Sequence, residues 1–158
     1  MCLPPISFSN WTPWRDRAQI IGNRTPGVYA LADFKKAPRT IDLQAHEIIY
    51  IGESCGSLRK RWGQFNRSAF EGKKGHSGGK EYWKKFQGKK GKRLFISVFP
   101  VDDLGELRPL FITFHDDWLD RPVDDLKKLR PLFIRYLERK LILDYALKWD
   151  RPPECNRK

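Results

Sequence analysis

Sulfur is scarce in this chain, with three cysteines and one methionine among 158 residues. Cys2, Cys55 and Cys155 lie far apart, are odd in number and form no Cys-x-x-Cys pair. That excludes a zinc-finger ligand set and a disulfide framework, and it favours a reducing, cytoplasmic setting. Long apolar runs are also missing. No continuous stretch is long enough to cross a membrane, so no membrane partner is expected. Met1-Cys2-Leu3-Pro4-Pro5 lacks the basic segment and following apolar run of a secretion signal. No Ser/His/Asp arrangement and no phosphate loop of the nucleotide-hydrolase type is present. His46 and His115 have no motif around them and read as surface residues, and Cys55 reads as incidental.

Acidic residues are few relative to basic ones. The balance of 31 Lys and Arg against 19 Asp and Glu leaves a net charge of +12. For one domain of this size, read as residues 1–158, such an excess points to a polyanionic partner. The charge is concentrated. Nine basic residues fall between Lys73 and Arg93, with Glu81 the one acid among them. Lys73, Lys74, Lys80, Lys84, Lys85, Lys89 and Lys90 are the candidate nucleic-acid contacts of this stretch. Glycines loosen it, and Tyr82, Trp83 and Phe86 interleave it. Basic groups displace counterions from phosphates and aromatic rings stack on unpaired bases. The plainer reading is a solvated surface with Trp83 and Phe86 packed inward.

Hydrophobic patterning organises the rest. Residues 1–25 read as an irregular arm carrying Trp11 and Trp14. Gly27 to Asp33 reads as a strand opened by a Pro-Gly turn, and residues 47–52 as a second strand closed by Gly52. Ser57 reads as the cap of a helix in which Leu58, Trp62, Phe65 and Ala69 recur at helical spacing. A short helix is expected near 79–87. Leu94 to Phe99 reads as a third strand, ended by Pro100. Residues 100–112 then match residues 122–134 at 11 of 13 positions, an internal duplication with a 22-residue offset (100–121 and 122–143). The first copy is expected to form a peripheral helical hairpin. The second is expected to run on as a long helix starting near Pro131, a favourable first-turn residue. Ile134, Leu137, Leu141, Ile142 and Tyr145 form its apolar stripe. Glu138 stands within that stripe, with Arg135 and Arg139 on other faces. A carboxylate there requires an ionic partner, Arg61 for example, or a metal ion.

Taken in order, Gly27-Val28-Tyr29, Tyr50-Ile51-Gly52, Leu58-Arg59-Lys60-Arg61, Leu137-Glu138 and Pro153-Glu154-Cys155-Asn156 resemble the GIY-YIG nuclease superfamily. The resemblance spans roughly residues 26–156. Tyr29 and Tyr50 are 21 residues apart, longer than the usual hairpin of that family. The resemblance implies an α/β fold with a small, mainly antiparallel three-stranded sheet flanked by helices. It implies a metal-dependent endonuclease acting on duplex or branched DNA, with Mg²⁺ or Mn²⁺ held by Glu138. Tyr29 is then the base that deprotonates water and Tyr50 orients that water or a phosphate oxygen, or the two roles are exchanged. Arg61 would bind phosphate, with Arg59 its competitor. Asn156 would brace the site by hydrogen bonding. His76 would either assist Tyr29 as a proton acceptor, cap the short helix, or contact the DNA backbone. The chain has little room for a separate targeting domain, so specificity would come from the basic segment, the repeat, a homodimer or a targeting partner protein. The reading from a different class is a nucleic-acid-binding module that has lost catalysis.

Overall fold

The computed structural model describes residues 6–87, 93–102 and 123–156. Their strands make one antiparallel sheet: β1 (Thr12–Pro13), β2 (Gly27–Asp33), β3 (Ile48–Ser54) and β4 (Leu94–Pro100), in the order β1-β4-β2-β3. Helices α1 (Leu58–Phe70), α2 (Ser77–Phe86) and α3 (Val123–Trp149) flank it. The expected α/β class holds, but the strand count is corrected from three to four. The added strand comes from the N-terminal arm. Thr12 and Pro13 pair with Ile96 and Phe95, and upstream Ser9 N–H donates to Val98 O at 2.8 Å. A proline is tolerated there because β1 is an edge strand, where a missing N–H breaks no inner ladder. Burial of Phe8, Trp11 and Trp14 anchors this arm on the sheet.

The sheet has two buried faces because its central strand alternates. Val28, Ala30 and Ala32 of β2 face the layer containing Phe133, Ile134, Leu137 and Tyr145 of α3. Tyr29 and Leu31 face the opposite layer, with Leu58, Trp62, Phe65 and Ala69 of α1 and Tyr82 of α2. Each large apolar side chain so buried contributes about 1.5–3 kcal/mol. Ser57 caps α1 as its sequence suggests, its side chain accepting from Lys60 N–H.

Three boundaries differ from expectation. β3 does not close at Gly52, since Glu53 and Ser54 continue the ladder opposite Val28 and Gly27. Helix α2 begins at Ser77, because His76 occupies the cap position and its ring accepts from Gly79 N–H. Helix α3 begins at Val123, which puts Pro131 inside it rather than at its start. A proline there forfeits one helical hydrogen bond. The helix runs through it because Phe133, Ile134 and Leu137 are buried just beyond. The first copy of the duplication, and with it the expected hairpin and His115, falls outside the described residues.

The open edge of β3 is covered by the C-terminal segment. Cys155 N–H donates to Ile49 O at 2.7 Å. The Asn156 side chain then serves both backbone groups of one residue: it accepts from Ile51 N–H at 2.8 Å and donates to Ile51 O at 2.6 Å. An amide is the side chain that offers a donor and an acceptor side by side. Replacing Asn156 with Ala is therefore expected to cost about 1–3 kcal/mol, the usual loss when a partly buried backbone group is stranded. Asn156→Asp should recover only part of this, because a carboxylate cannot donate to Ile51 O. Urea unfolding of the three proteins checks the order.

Candidate active site

Tyr29 and Tyr50 meet on the α1/α2 face of the sheet. In the β2–β3 ladder Tyr29 stands opposite Gly52 and Leu31 opposite Tyr50, so the two phenols are diagonal neighbours, with ring centroids 5.9 Å apart. An irregularity in β3 helps. Ala32 pairs with Ile48 while Leu31 pairs with Tyr50, which leaves Ile49 as an extra residue. Such a bulge re-aims the side chains around it. Ile49 and Tyr50 consequently both point into the same layer, although they are consecutive.

The Tyr50 ring lies in a slot made by two glycines. A Cβ on Gly52 would come within 2.4 Å of Tyr50 Cε1, and one on Gly78 within 2.4 Å of Tyr50 Cε2. Neither position admits a side chain while the ring stays where it is. Gly78 belongs to α2, so the slot also locks the helix pair against the strand. Phe65 closes the layer, 6.0 Å from Tyr50 and 5.2 Å from His76 between centroids. Trp62 meets Tyr29 edge-on at 6.2 Å.

His76 links these parts and is almost fully buried, 1% exposed. Its Nδ1 accepts from Gly79 N–H at 3.1 Å, and its backbone N–H donates to Ser68 Oγ at 3.0 Å. Its Nε2 lies 3.0 Å from Tyr29 Oη. Because a backbone N–H can only donate, Nδ1 must carry no proton, and the neutral ring then holds its hydrogen on Nε2. His76 therefore donates to Tyr29. Burial, helped by the positive charge of Arg61, depresses the imidazole to about 3, which keeps it neutral at ordinary pH. The Tyr29 and Tyr50 phenols also act on each other, and the positive charge of Arg61 is felt at both. The hydrogen bonds thus run in one direction, from Gly79 N–H to His76 and from His76 to Tyr29, whose own hydrogen is left to point toward the neighbouring Tyr50. Burial raises both phenols. Tyr29, wholly buried, sits well above its ordinary value, with the proximity of Tyr50 adding to the effect. Tyr50, 5% exposed, is raised to about 12 against the opposing pull of Arg61.

Arg61, not Arg59, is the arginine whose charge is felt at the phenols. It projects from the flank of α1, where its guanidinium also donates to Gln64 Oε1 at 3.1 Å. Glu138 comes from α3, and its negative charge is felt at both Tyr29 and Tyr50, raising each. Its side chain is only 16% exposed, and Arg139 Nε stands 3.8 Å from Oε2, closer than helical spacing suggested. Among the described residues no three His, Cys, Asp or Glu side chains gather as a metal cage. One sheltered carboxylate near a guanidinium and two phenols is a donor set that suits a hard divalent ion keeping several waters. Asn156 sits at Ile51, between Tyr50 and Gly52, and braces the strand rather than the reacting centre.

The basic segment is partly neutralised. Lys73 pairs with Glu71 at 2.7 Å and Lys84 with Glu81 at 2.7 Å. Lys85 bridges to the Glu154 carboxylate at 3.0 Å and also donates to Glu154 O, tying α2 to the C-terminal segment. Lys74 and Lys80 are exposed, and Lys89 and Lys90 lie outside the described residues. Trp83 is 38% exposed, Tyr82 is buried and Phe86 is partly buried.

No family model, curated protein or solved structure matches the chain. Sequence reading passed over Ser68, Gly78 and Trp62 as parts of this site. The Gly78-Gly79 pair just past His76 and Ser77 is the one signal that announced a close approach.

Two outcomes are expected here. Gly52→Ala or Gly78→Ala should displace the Tyr50 ring and lower stability by about 1–3 kcal/mol, the usual cost of overpacking; thermal melts with tyrosine fluorescence check this. The folded-state pKa of His76, about 3, lies below the unfolded value of about 6.5. The unfolded chain therefore takes up the proton first as pH falls. The His76 contribution is complete above pH about 6.5 and is lost toward pH 3, at up to about 1.4 kcal/mol per unit. His76→Asn keeps a capping oxygen but cannot titrate. Its urea midpoint should fall less between pH 7 and pH 5 than that of the wild type.

Proposed function

We propose that this protein is a metal-dependent endonuclease of the GIY-YIG type that hydrolyses DNA phosphodiester bonds. The observation that carries the reading is the convergence of Tyr29, Tyr50, Arg61, His76 and the charge of Glu138 on one site. They come from two strands, two helices and the turn before α2. Residues so far apart in sequence need not meet unless the fold is organised around them. The net charge of +12 supports a polyanionic substrate.

The roles follow from the exposure of each phenol and the groups around it. Tyr50 is the base and Tyr29 its support, the exchange of roles that the resemblance allowed. The positive charge of Arg61 and the neighbouring Tyr29 hydroxyl both favour the Tyr50 phenolate over the phenol. Tyr29 is wholly enclosed and cannot touch a substrate, whereas Tyr50 keeps a small exposed area. His76 orients Tyr29 by donating to its oxygen, which leaves the Tyr29 hydrogen to point at Tyr50. Tyr50 takes the proton of the attacking water, and Arg61 holds a non-bridging phosphate oxygen. A Mg²⁺ or Mn²⁺ ion bound at Glu138 would supply positive charge for the leaving oxygen and for the phenolate. The second reading, a binding module without catalysis, draws on the same burial. With Tyr50 raised to about 12, the phenolate is rare at neutral pH unless a cation is added.

Incubation of supercoiled, linear and branched DNA with and without Mg²⁺ or Mn²⁺ tests the proposal. Tyr50→Phe and Glu138→Gln are each expected to lose at least about a hundredfold in cleavage rate, the scale on which acid–base groups act, with DNA affinity kept. Wild-type cleavage should rise about tenfold per pH unit from 7 to 9, because the phenolate fraction does so below its pKa. Wild-type protein that binds DNA but cleaves none of these substrates with either metal, or Tyr50→Phe that cleaves normally, would sink it.

A further inference from the structure

Besides the exposed Lys74 and Lys80 of the lysine-rich segment, four cations without an acidic counterpart among the described residues cluster elsewhere. They line an open groove of about 630 Å³ on the outer face of α1, formed by Arg24, Ser57, Arg59, Lys60, Gly63 and Arg67. Its four basic side chains are all exposed, and among the described residues none makes an ion pair. Four positive charges around one concavity repel one another, a cost that a bound polyanion removes.

The groove is built rather than accidental. Arg59, Lys60, Gly63 and Arg67 follow helical spacing and share one side of α1. Gly63 has no atom within 4 Å of the place a Cβ would take, so it leaves the floor open. Arg24 is brought in by the turn before β2, which is pinned to the helix start. Leu58 N–H donates to Thr25 O at 3.0 Å, and Arg59 N–H to Asn23 O at 2.6 Å. With Lys60 N–H held by Ser57 Oγ, the first backbone donors of the helix are already used. Side-chain charge is what the groove offers.

We propose that this groove binds the phosphate backbone of the nucleic acid, away from the reacting phosphate, and is the main source of affinity. The inference rests on the DNA reading above and adds the path of the strand. Arg61 projects from another flank of α1, and a helix with its side chains is about 10–12 Å across. A backbone laid over α1 therefore meets the groove on one side and Arg61 with Tyr50 on the other. Arginine predominates, three of the four cations, as suits bidentate contact with phosphate. The paired Lys73, Lys84 and Lys85 are left with a lesser part, because an incoming phosphate must first compete with Glu71, Glu81 and Glu154.

The test is equilibrium binding of fluorescein-labelled duplex DNA by anisotropy, in EDTA, from 50 to 300 mM NaCl. The variant Arg24→Ala/Arg59→Ala/Lys60→Ala/Arg67→Ala is expected to bind at least about tenfold more weakly. Its plot of log K against log salt should flatten by roughly 0.9 for each phosphate the protein no longer neutralises. Lys73→Ala/Lys84→Ala should change affinity much less, and Arg24→Lys/Arg59→Lys/Arg67→Lys should keep most of it. If the fourfold variant fails to fold by circular dichroism, the single reversal Arg59→Glu decides. Wild-type affinity and slope in the folded variant, or in Arg59→Glu, would overturn the inference. So would tighter binding to vesicles of anionic phospholipid than to DNA at the same salt. Because no cleavage is scored, a wild type that binds with this signature but never cuts DNA defeats the nuclease reading and leaves the groove standing.

Discussion

An unpaired buried donor or acceptor costs about 1–3 kcal/mol, and the layer that buries Tyr29, Tyr50, Tyr82, Trp62 and His76 leaves Tyr82 Oη and Trp62 Nε1 without a partner. His76 and Tyr29 are served by a chain of bonds whose direction is set at one end. Gly79 N–H can only donate, so His76 Nδ1 must accept, and the polarity of the link to Tyr29 follows. The same bond caps α2 and fixes its start at Ser77. Helix geometry, histidine tautomer and the distinction between two otherwise similar tyrosines thus share one physical cause.

Around this chain the backbone is closed by the chain termini. The three long strands leave two edges, one along β4 and one along β3, which a folded protein must cover or blunt. At the β4 side the arm supplies Ser9, Thr12 and Pro13. At the β3 side Cys155 and Asn156 supply backbone and side-chain bonds next to Tyr50. The C-terminal covering is tied back to α2 through Lys85 and Glu154. The segment that flanks Tyr50 along the strand and the helix that holds its slot are therefore connected twice, and the ring has little freedom to leave.

Charge divides along a different line from composition. The chain is basic as a whole and most densely so between Lys73 and Arg93, yet density in sequence is not free charge in space. Three of those lysines meet carboxylates that folding brings alongside, whereas the four cations on the outer side of α1 meet none among the described residues. Surface ion pairs add little to stability, but they do lower the potential that a phosphate encounters.

Much of this was legible in the residues alone. The strands at 27–33 and 94–100, the Ser57 cap and the apolar stripe of α1 follow from local periodicity and capping chemistry, which neighbours along the chain decide. The grouping of Tyr29, Tyr50, Arg61 and Glu138 was legible only as a resemblance in their order. What periodicity misjudged was decided at longer range. Thr12–Pro13 became a strand because β4 had an open edge. Helix α3 ran through Pro131 because burial beyond it outweighs one lost hydrogen bond. The tautomer of His76, the glycine slot around Tyr50 and the pairing of Lys85 with Glu154 were likewise invisible in sequence. Each depends on which groups from distant segments come within about 3 Å of one another, and only the packed tertiary structure determines that.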